Sequence, residues 1–282
     1  EQDRLLMATR TVAGPWSEAV AVPDVVGDLA HPACAGAGNE LVIAWTENTD
    51  GVWDIRWTKR SEDQTWAKPA PLTQTPGTEL ELDAISLPEN ELLLVWQGFT
   101  GNSFDVLGKI YRNGRWEPTV NLSDHSANDW RPASAVSSDG RVAVAWDSYR
   151  FGSYDVFVRV LDKDEWSEAM TVAASPAFEA NATVAWDAAG RLWLAWEEGT
   201  EGWGKDQGAV VPKPKPGTGL YRKRQIGVRV LDGNRWLTPA TRPQDAQGVA
   251  DRGFVETPEL CSDGDGNVRL AFKMFHQQVK NH

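Results

Sequence analysis

WRPASAVSSDGRVAVAWDSYRFGSYDVFVRVLDKDEWSEAMTVA, residues 130–173, decides how this chain folds. RPASAVSS reads as a first strand, DG as a tight turn and RVAVAW as a second strand. A polar loop, DSYRFGS, leads to a third strand, YDVFVRVL, and a fourth lies around WSEAMTVA. Short β-rich runs bounded by Gly, Asp and Ser clusters are strand and turn signals. Alternation in VAVAW and VFVRV predicts strands with two unlike faces.

The stretch is one copy of a repeat. Trp66, Trp116 and Trp166 stand 50 residues apart, with Trp16 another 50 upstream and Trp236 continuing the series after an insertion. A second ladder runs Trp45, Trp96, Trp146 and Trp196, and Phe272 takes the next place. Its members end LVIAW, LLLVW, VAVAW and LWLAW, with VRLAF last. No stretch of ten or more residues carries helical periodicity. Four antiparallel strands per roughly 50 residues is the unit of a β-propeller blade, so the expected fold is an all-β propeller of four-stranded blades. Indoles at both ladder positions are expected to pack between blades.

Expected blades cover 29–74, 78–123, 129–174 and 178–242. Residues 4–22 match only the third and fourth strands of a unit, and 254–275 only the first and second. Together they would make a fifth, composite blade from 253–282 and 1–22, closing a ring and hiding two sheet edges. A fragment of a larger array is the alternative.

Composition narrows the function. The 282 residues carry 28 Lys and Arg against 40 Asp and Glu, a net charge of −12. That excess argues against nucleic acid or an anionic membrane surface as partner. No apolar run reaches the roughly 18 residues of a spanning helix. The chain starts with Glu rather than Met, and an extracellular, periplasmic or cell-envelope location is expected. The two cysteines, Cys34 and Cys261, occupy equivalent first-strand positions. They read as small buried residues, or as a disulfide sealing a closed ring. SDGDGN at 262–267 has the alternating carboxylates of a calcium loop, but it occupies the same hairpin position as SSDGR and DAAGR and reads as a turn. The four histidines form no ligand motif, and neither a metal nor another cofactor is expected.

A residue repeated at every equivalent position is read as packing; one that breaks the repeat is a candidate for function. Asp54, Asp105 and Asp155 recur before strand three and read as structural. Just before the first-strand core stand His31, Glu81, Arg131, Asn181 and Thr257, all different. Two residues earlier, three blades carry Glu79, Asp129 and Glu179. After the second-strand aromatic come Thr46, Gln97, Asp147, Glu197 and Lys273. In a propeller these loops surround the mouth of the central channel. The largest asymmetry is an insertion, TEGWGKDQGAVVPKPKPGTGLYRKRQI at 200–226, locally about +4 on a body near −16. Its PKPKPG is a stiff, extended stretch suited to a lid or a docking arm. The candidate ligand-binding set is Trp130, Arg131, Asp147, Tyr149, Arg150, Glu197, Trp203, Lys205 and Asp206. Aromatic platforms with charged neighbours suit a carbohydrate or another small polar ligand. Docking of a partner protein on the insertion is the other interaction reading.

An enzyme is the weaker expectation. Glu79, Asp129, Glu179, Asp147 and Glu197 could supply the paired carboxylates of glycoside hydrolysis, yet no spacing singles out a pair. The Ser-x-Asp-x-Gly-x-x-Trp box is absent, as are GxSxG and Walker sequences. The grammar DGRVAVAWDSYRFGSYDVFVRVL followed by WSEA resembles bacterial exported TolB-like or sialidase-like propeller repeats. LWLAWEEG…GWGKDQG…GLYRKRQIGVRVLDGNRW, at 192–236, is similar to the N-terminal repeats of large bacterial proteins in which a PHP-like metal-dependent domain follows. This second resemblance implies a repeat portion of a larger metal-dependent hydrolase. No metal-binding histidines of such a domain stand in this sequence, so that activity does not carry over.

Overall fold

Tight turns place the strands. In Ser137–Arg141, Asp187–Arg191 and Asp263–Asn267 the first residue's N–H donates to the last residue's carbonyl at 2.8, 3.0 and 2.9 Å. Gly140, Gly190 and Gly266 return an N–H to the first carbonyl, each from a positive φ of 88°, 74° and 76°. Glycine reaches that backbone region without steric cost, which is why these hairpins carry it. SDGDGN is one of them: the Asp263 carboxylate accepts the N–H groups of Asp265 and Asn267 at 3.0 and 2.9 Å.

The computed structural model describes residues 2–201, 224–246, 249, 254–263 and 265–275. They form two compact units, residues 1–122 and 123–282. The first unit begins with a two-stranded sheet, Asp3–Met7 against Val20–Gly27. A four-stranded sheet follows (Leu29–Ala37, Glu40–Thr49, Val52–Arg60, Ala70–Pro71). Glu79–Leu87, Glu91–Phe99, Phe104–Arg112, Arg115–Trp116 and Val120–Asn121 complete the unit as a second blade. The other unit holds the blade of the decisive stretch (Asp129–Val136, Val142–Ser148, Asp155–Asp162, Glu165–Trp166, Met170–Ala173). Next to it stand Glu179–Trp186, Leu192–Glu198, Gln225–Asp232 and Arg235–Leu237, then the pair Phe254–Ser262 and Val268–Phe275. Neighbouring strands within every sheet are antiparallel and in sequence order, as in propeller blades. Among the described residues no helix is long and apolar enough to cross a membrane.

The fourth strand is split, and the reason lies in the repeat. Ser167 Oγ takes the Val160 N–H at 3.0 Å while the Ser167 N–H donates back to the Val160 carbonyl at 2.8 Å. That two-bond clasp lies between Glu165–Trp166 and Met170–Ala173; the 79–121 blade is split at the same place by Glu117, whose N–H donates to the Ile110 carbonyl. Ser17 does the same toward Thr9, which ties the residue after each ladder Trp to backbone geometry.

Packing corrects two expectations. Val142–Ser148 is buried at every position, and its two faces differ in size, Ala143 and Ala145 alternating with Val142, Val144 and Trp146. A fully covered strand reads as a continuous apolar run. The two Trp ladders also differ. Trp45, Trp96, Trp146 and Trp196 are buried in the cores, whereas Trp66, Trp116, Trp166 and Trp236 are half-buried and Trp16 is exposed. The second-strand ladder lies at blade centres; the other lies at outer edges, where Trp116 still meets Trp57 of the preceding blade edge-on at 5.5 Å. Cys34 and Cys261 are exposed and unbonded, not buried as their small neighbours suggested, whereas the equivalent Ala185 is buried.

Candidate functional site

The positions that vary most along the sequence share one backbone state. His31, Glu81, Arg131, Asn181 and Thr257 all have positive φ, between 46° and 57°, and none is glycine. At each of them the first-strand ladder slips by one residue, as between Trp130 and Ala133 or Ala180 and Thr183. These are β-bulges with a left-handed residue, a conformation that costs a non-glycine residue about 1 kcal/mol or more. A left-handed bulge turns successive N–H groups to one side, making a small anion-binding nest.

Within the 123–282 unit the preceding blade fills that nest with a carboxylate. Asp147 accepts the Asn181 N–H at Oδ2, 3.0 Å, and the Ala182 N–H at Oδ1, 3.4 Å. Thr257 is followed by Pro258, which has no N–H, so only one donor is offered there. Glu197 Oε1 takes it at 2.7 Å, and its Oε2 pairs instead with Arg224 at 3.2 Å. Asp147 and Glu197 are 1% and 4% exposed.

Arg131 stands exposed above this arrangement, its guanidinium donating to the Asn181 side-chain oxygen. Trp130, adjacent in the chain and half-buried, lies 5.2 Å from the Tyr154 ring. Tyr149 meets Tyr154 edge-on at 5.5 Å, and Phe178 extends the cluster at 5.3 Å. Arg224 covers the Phe178 ring at 4.0 Å. Arg150 is turned inward: it donates to Asp129 Oδ1 at 3.3 Å and Ser148 Oγ at 2.9 Å, over the Phe157 ring.

Six of the nine sequence candidates are thus described, four of them in two pairs. Trp130 and Tyr149 join the aromatic cluster, while Arg131 and Asp147 meet at the Asn181 bulge. Glu197 holds the next bulge, and Arg150 sits in a buried ion pair away from the exposed face. Trp203, Lys205 and Asp206 lie outside the described residues, as does most of the 200–226 insertion with its docking-arm reading. Sequence reasoning left Asn181, Tyr154 and Phe178 off the candidate set. The first had a signal, since it stands 50 residues after Arg131; Tyr154 had only the recurrence of an aromatic at Trp53 and Phe104, and Phe178 had none.

The other acids brace loops. Glu79 accepts the hydroxyls of Thr73 and Thr75 at 2.5 and 3.0 Å. Glu179 accepts the Ser175 N–H and hydroxyl at 2.8 and 2.9 Å. Asp129 takes the Trp146 indole N–H at 3.1 Å. Asp54, Asp105 and Asp155 accept from Thr75, Thr100 and Ser153 at the start of strand three, the structural task expected of them. Among the described residues no cluster of His, Cys, Asp and Glu could hold a metal ion.

Burial raises two of these carboxyls far above the usual range. Asp147 is pushed to about 7 by burial, with the Asn181 and Ala182 N–H groups and Arg131 opposing and Glu197 adding to the rise. Asp155 is pushed to about 6 by burial, opposed by Ser153 and reinforced by Glu179. A folded-state pKa raised above the unfolded value means the folded state binds more protons between the two. Stability is therefore full below about pH 4 and falls as the pH rises to about 7. For Asp147 the loss is on the order of 4 kcal/mol. Urea midpoints at pH 4.5, 6 and 8 are expected to decline in that order, and Asp147→Asn to flatten the decline. A variant with an unchanged slope would mean that Asp147 ionises at its ordinary value.

No family model matches the chain. No curated protein matches it either. Solved structures do. An α-L-arabinanase of Penicillium chrysogenum, complexed with arabinobiose, is similar over 90% of this chain and 79% of its own, with a TM-score of 0.53 at 11% identity. The GH93 α-L-arabinofuranosidase of Fusarium graminearum, with arabinobiose, covers 86% and 74% at a TM-score of 0.52 and 12% identity. A protein of unknown function from Dyadobacter fermentans covers 87% and 75% at a TM-score of 0.52 and 13% identity. At such identities the likeness establishes the β-propeller fold and nothing finer.

Proposed function

We propose that the chain is a carbohydrate-directed propeller, with sugar held at the bulge face of the 123–282 unit by Arg131, Asn181 and the Trp130–Tyr149–Tyr154 cluster. One observation carries the reading: an exposed guanidinium, clasped to Asn181 on the next blade, stands beside half-buried aromatic rings. Planar donors orient hydroxyls, and aromatic faces take the apolar side of a pyranose or furanose ring. Two of the similar propellers were solved with arabinobiose, which makes arabino-oligosaccharides the first probes. Asp147 and Glu197 then act by positioning, since they hold the bulges that present Asn181 and Thr257.

Calorimetric titration with arabinobiose, arabinotriose and cellotriose tests this. Saturable binding is expected, weakened at least tenfold by Arg131→Ala and by Trp130→Ala, about 1.4 kcal/mol or more each. Absence of binding to any of them, or binding indifferent to both changes, would sink the reading.

A hydrolase is the second reading, and Asp147 favours it. A carboxyl titrating at about 7 beside a second buried carboxylate, Glu197, is the electrostatic signature of an acid–base pair. Slow release of arabinose, lost in Asp147→Asn and Glu197→Gln while binding persists, would favour it over pure recognition. An extracellular or periplasmic location belongs to the same proposal, and cell fractionation of the native host tests it.

A further inference from the structure

The repeat breaks at a second place, the hairpin end of the blades. Tyr111 of the 79–121 blade pairs with Leu92 and Trp116 and is 1% exposed. Its ring fills the cleft toward the 29–71 blade. Trp57 and Trp116 meet it edge-on at 5.6 and 5.2 Å. Its hydroxyl donates to Glu40 Oε2 at 2.8 Å and accepts from Lys59 Nζ at 3.1 Å. A phenol clasped by two indoles is thus what plugs this place in the 1–122 unit.

In the 123–282 unit the same positions carry smaller residues. Leu231, which pairs with Leu192 and Trp236, stands where the tyrosine does. Val158 and Val160 pair with Ala145 and Ala143, as Trp57 and Lys59 pair with Ala44 and Val42. A cavity of about 310 Å³ is left between the 129–173 and 179–237 blades. Its apolar wall is Trp186, a member of the core cluster, with Val160, Met170, Leu231 and Trp236 packed against that cluster. The last three are half-buried, and Asp162 and Asn234 are exposed at the rim, so the wall is reached from solvent.

Arg141 is a fixed part of the lining. It lies over the Trp186 ring at 4.4 Å and donates to the Gly190 carbonyl and to Asp139 at 3.1 Å. Arg141 and Asp162 are opposite in sign, and the guanidinium is already engaged. That balance favours a neutral guest with a hydroxyl to donate over an anion or a cation. A ring entering the cavity gains the contacts that larger side chains make in the other unit.

We propose that this cavity binds a small neutral monocyclic phenol, its ring taking the place that Tyr111 fills in the other unit and its hydroxyl lying at the Asp162 rim. No residue of the site belongs to the bulge face, so the proposal does not rest on the reading given for that face.

The full chain with isotope-labelled methionine methyls, titrated with 4-methylphenol, tests it. Met170 lines the cavity, and Met170→Leu assigns its resonance among those of the three methionines. A saturable shift of that methyl at millimolar ligand is expected, with Met7 and Met274 unmoved. Leu231→Tyr, which rebuilds the plug of the other unit, should abolish the shift without lowering the melting temperature. Benzoate and benzylammonium should bind about tenfold more weakly or worse. The proposal is overturned if 4-methylphenol leaves the Met170 methyl unmoved, if either ion binds as tightly, or if folded Leu231→Tyr still shows the shift. Should Leu231→Tyr fail to fold, Leu231→Phe decides by the same criterion, since it adds the ring without a hydroxyl to satisfy.

Discussion

Trp146→Ala is expected to lower the unfolding free energy by about 4–5 kcal/mol, among the largest effects of any single change in this chain. The indole is 0% exposed at the centre of the 129–173 blade, stacked on Phe157 at 6.2 Å. Two losses add. The ring's buried area goes, leaving a cavity that a close-packed blade centre closes only in part. Asp129, itself 0% exposed, also loses the indole N–H and keeps the Arg150 guanidinium 3.3 Å away. At about 2–4 °C per kcal/mol for a unit of this size, the melting temperature should fall by roughly 10–15 °C. Trp146→Phe separates the terms: most of the volume stays, the N–H goes, and a fall of about 1–2 kcal/mol is expected. A melt unchanged by the alanine would mean that the blade centre repacks freely.

Gly227→Ala should cost about 3 kcal/mol by the opposite route, overpacking. The added methyl carbon would lie 2.3 Å from Trp196 Cε2 and 2.4 Å from Cζ2, well inside contact distance. The ring cannot swing aside easily, because Trp196 is packed among Ala182, Val184 and Leu194 in one core cluster. In a Trp196→Leu background the same glycine change should cost far less, and the double-mutant cycle measures the clash directly. Equal costs in both backgrounds would place the strain elsewhere. The equivalent residues opposite Trp45, Trp96 and Trp146 are Arg56, Leu107 and Phe157, so this glycine answers to one indole orientation and not to the repeat.

Much of this was legible in the sequence. The 50-residue Trp spacing announced blades, and DG, AG and GN marked hairpins whose glycines do take positive φ. The positions of Arg131 and Asn181 were visible as breaks in the repeat. Their conformation was not, because Arg131, unlike Asn181, has no local preference for a left-handed residue, and the repeat varies freely at this place. Nor did the spacing of Asp147 and Glu197 reveal that both would be buried as acceptors. The alternation in VAVAW is one of size and not of exposure, because that strand is buried along its whole length.

The chain by itself determined the all-β repeat, the order of strands within each blade and the residues that pack its centre. Those follow from local turn chemistry and from side-chain period, which a single stretch such as 130–173 contains in full. Only the tertiary structure decided which carboxylates brace the scaffold and which polar groups stay at the surface. The acceptor and donor in each clasp are 34 residues apart for Asp147 and Asn181, and 60 for Glu197 and Thr257. A bulge held at positive φ by a carboxylate from the preceding blade is stable only once both blades exist, so no window of sequence contains it.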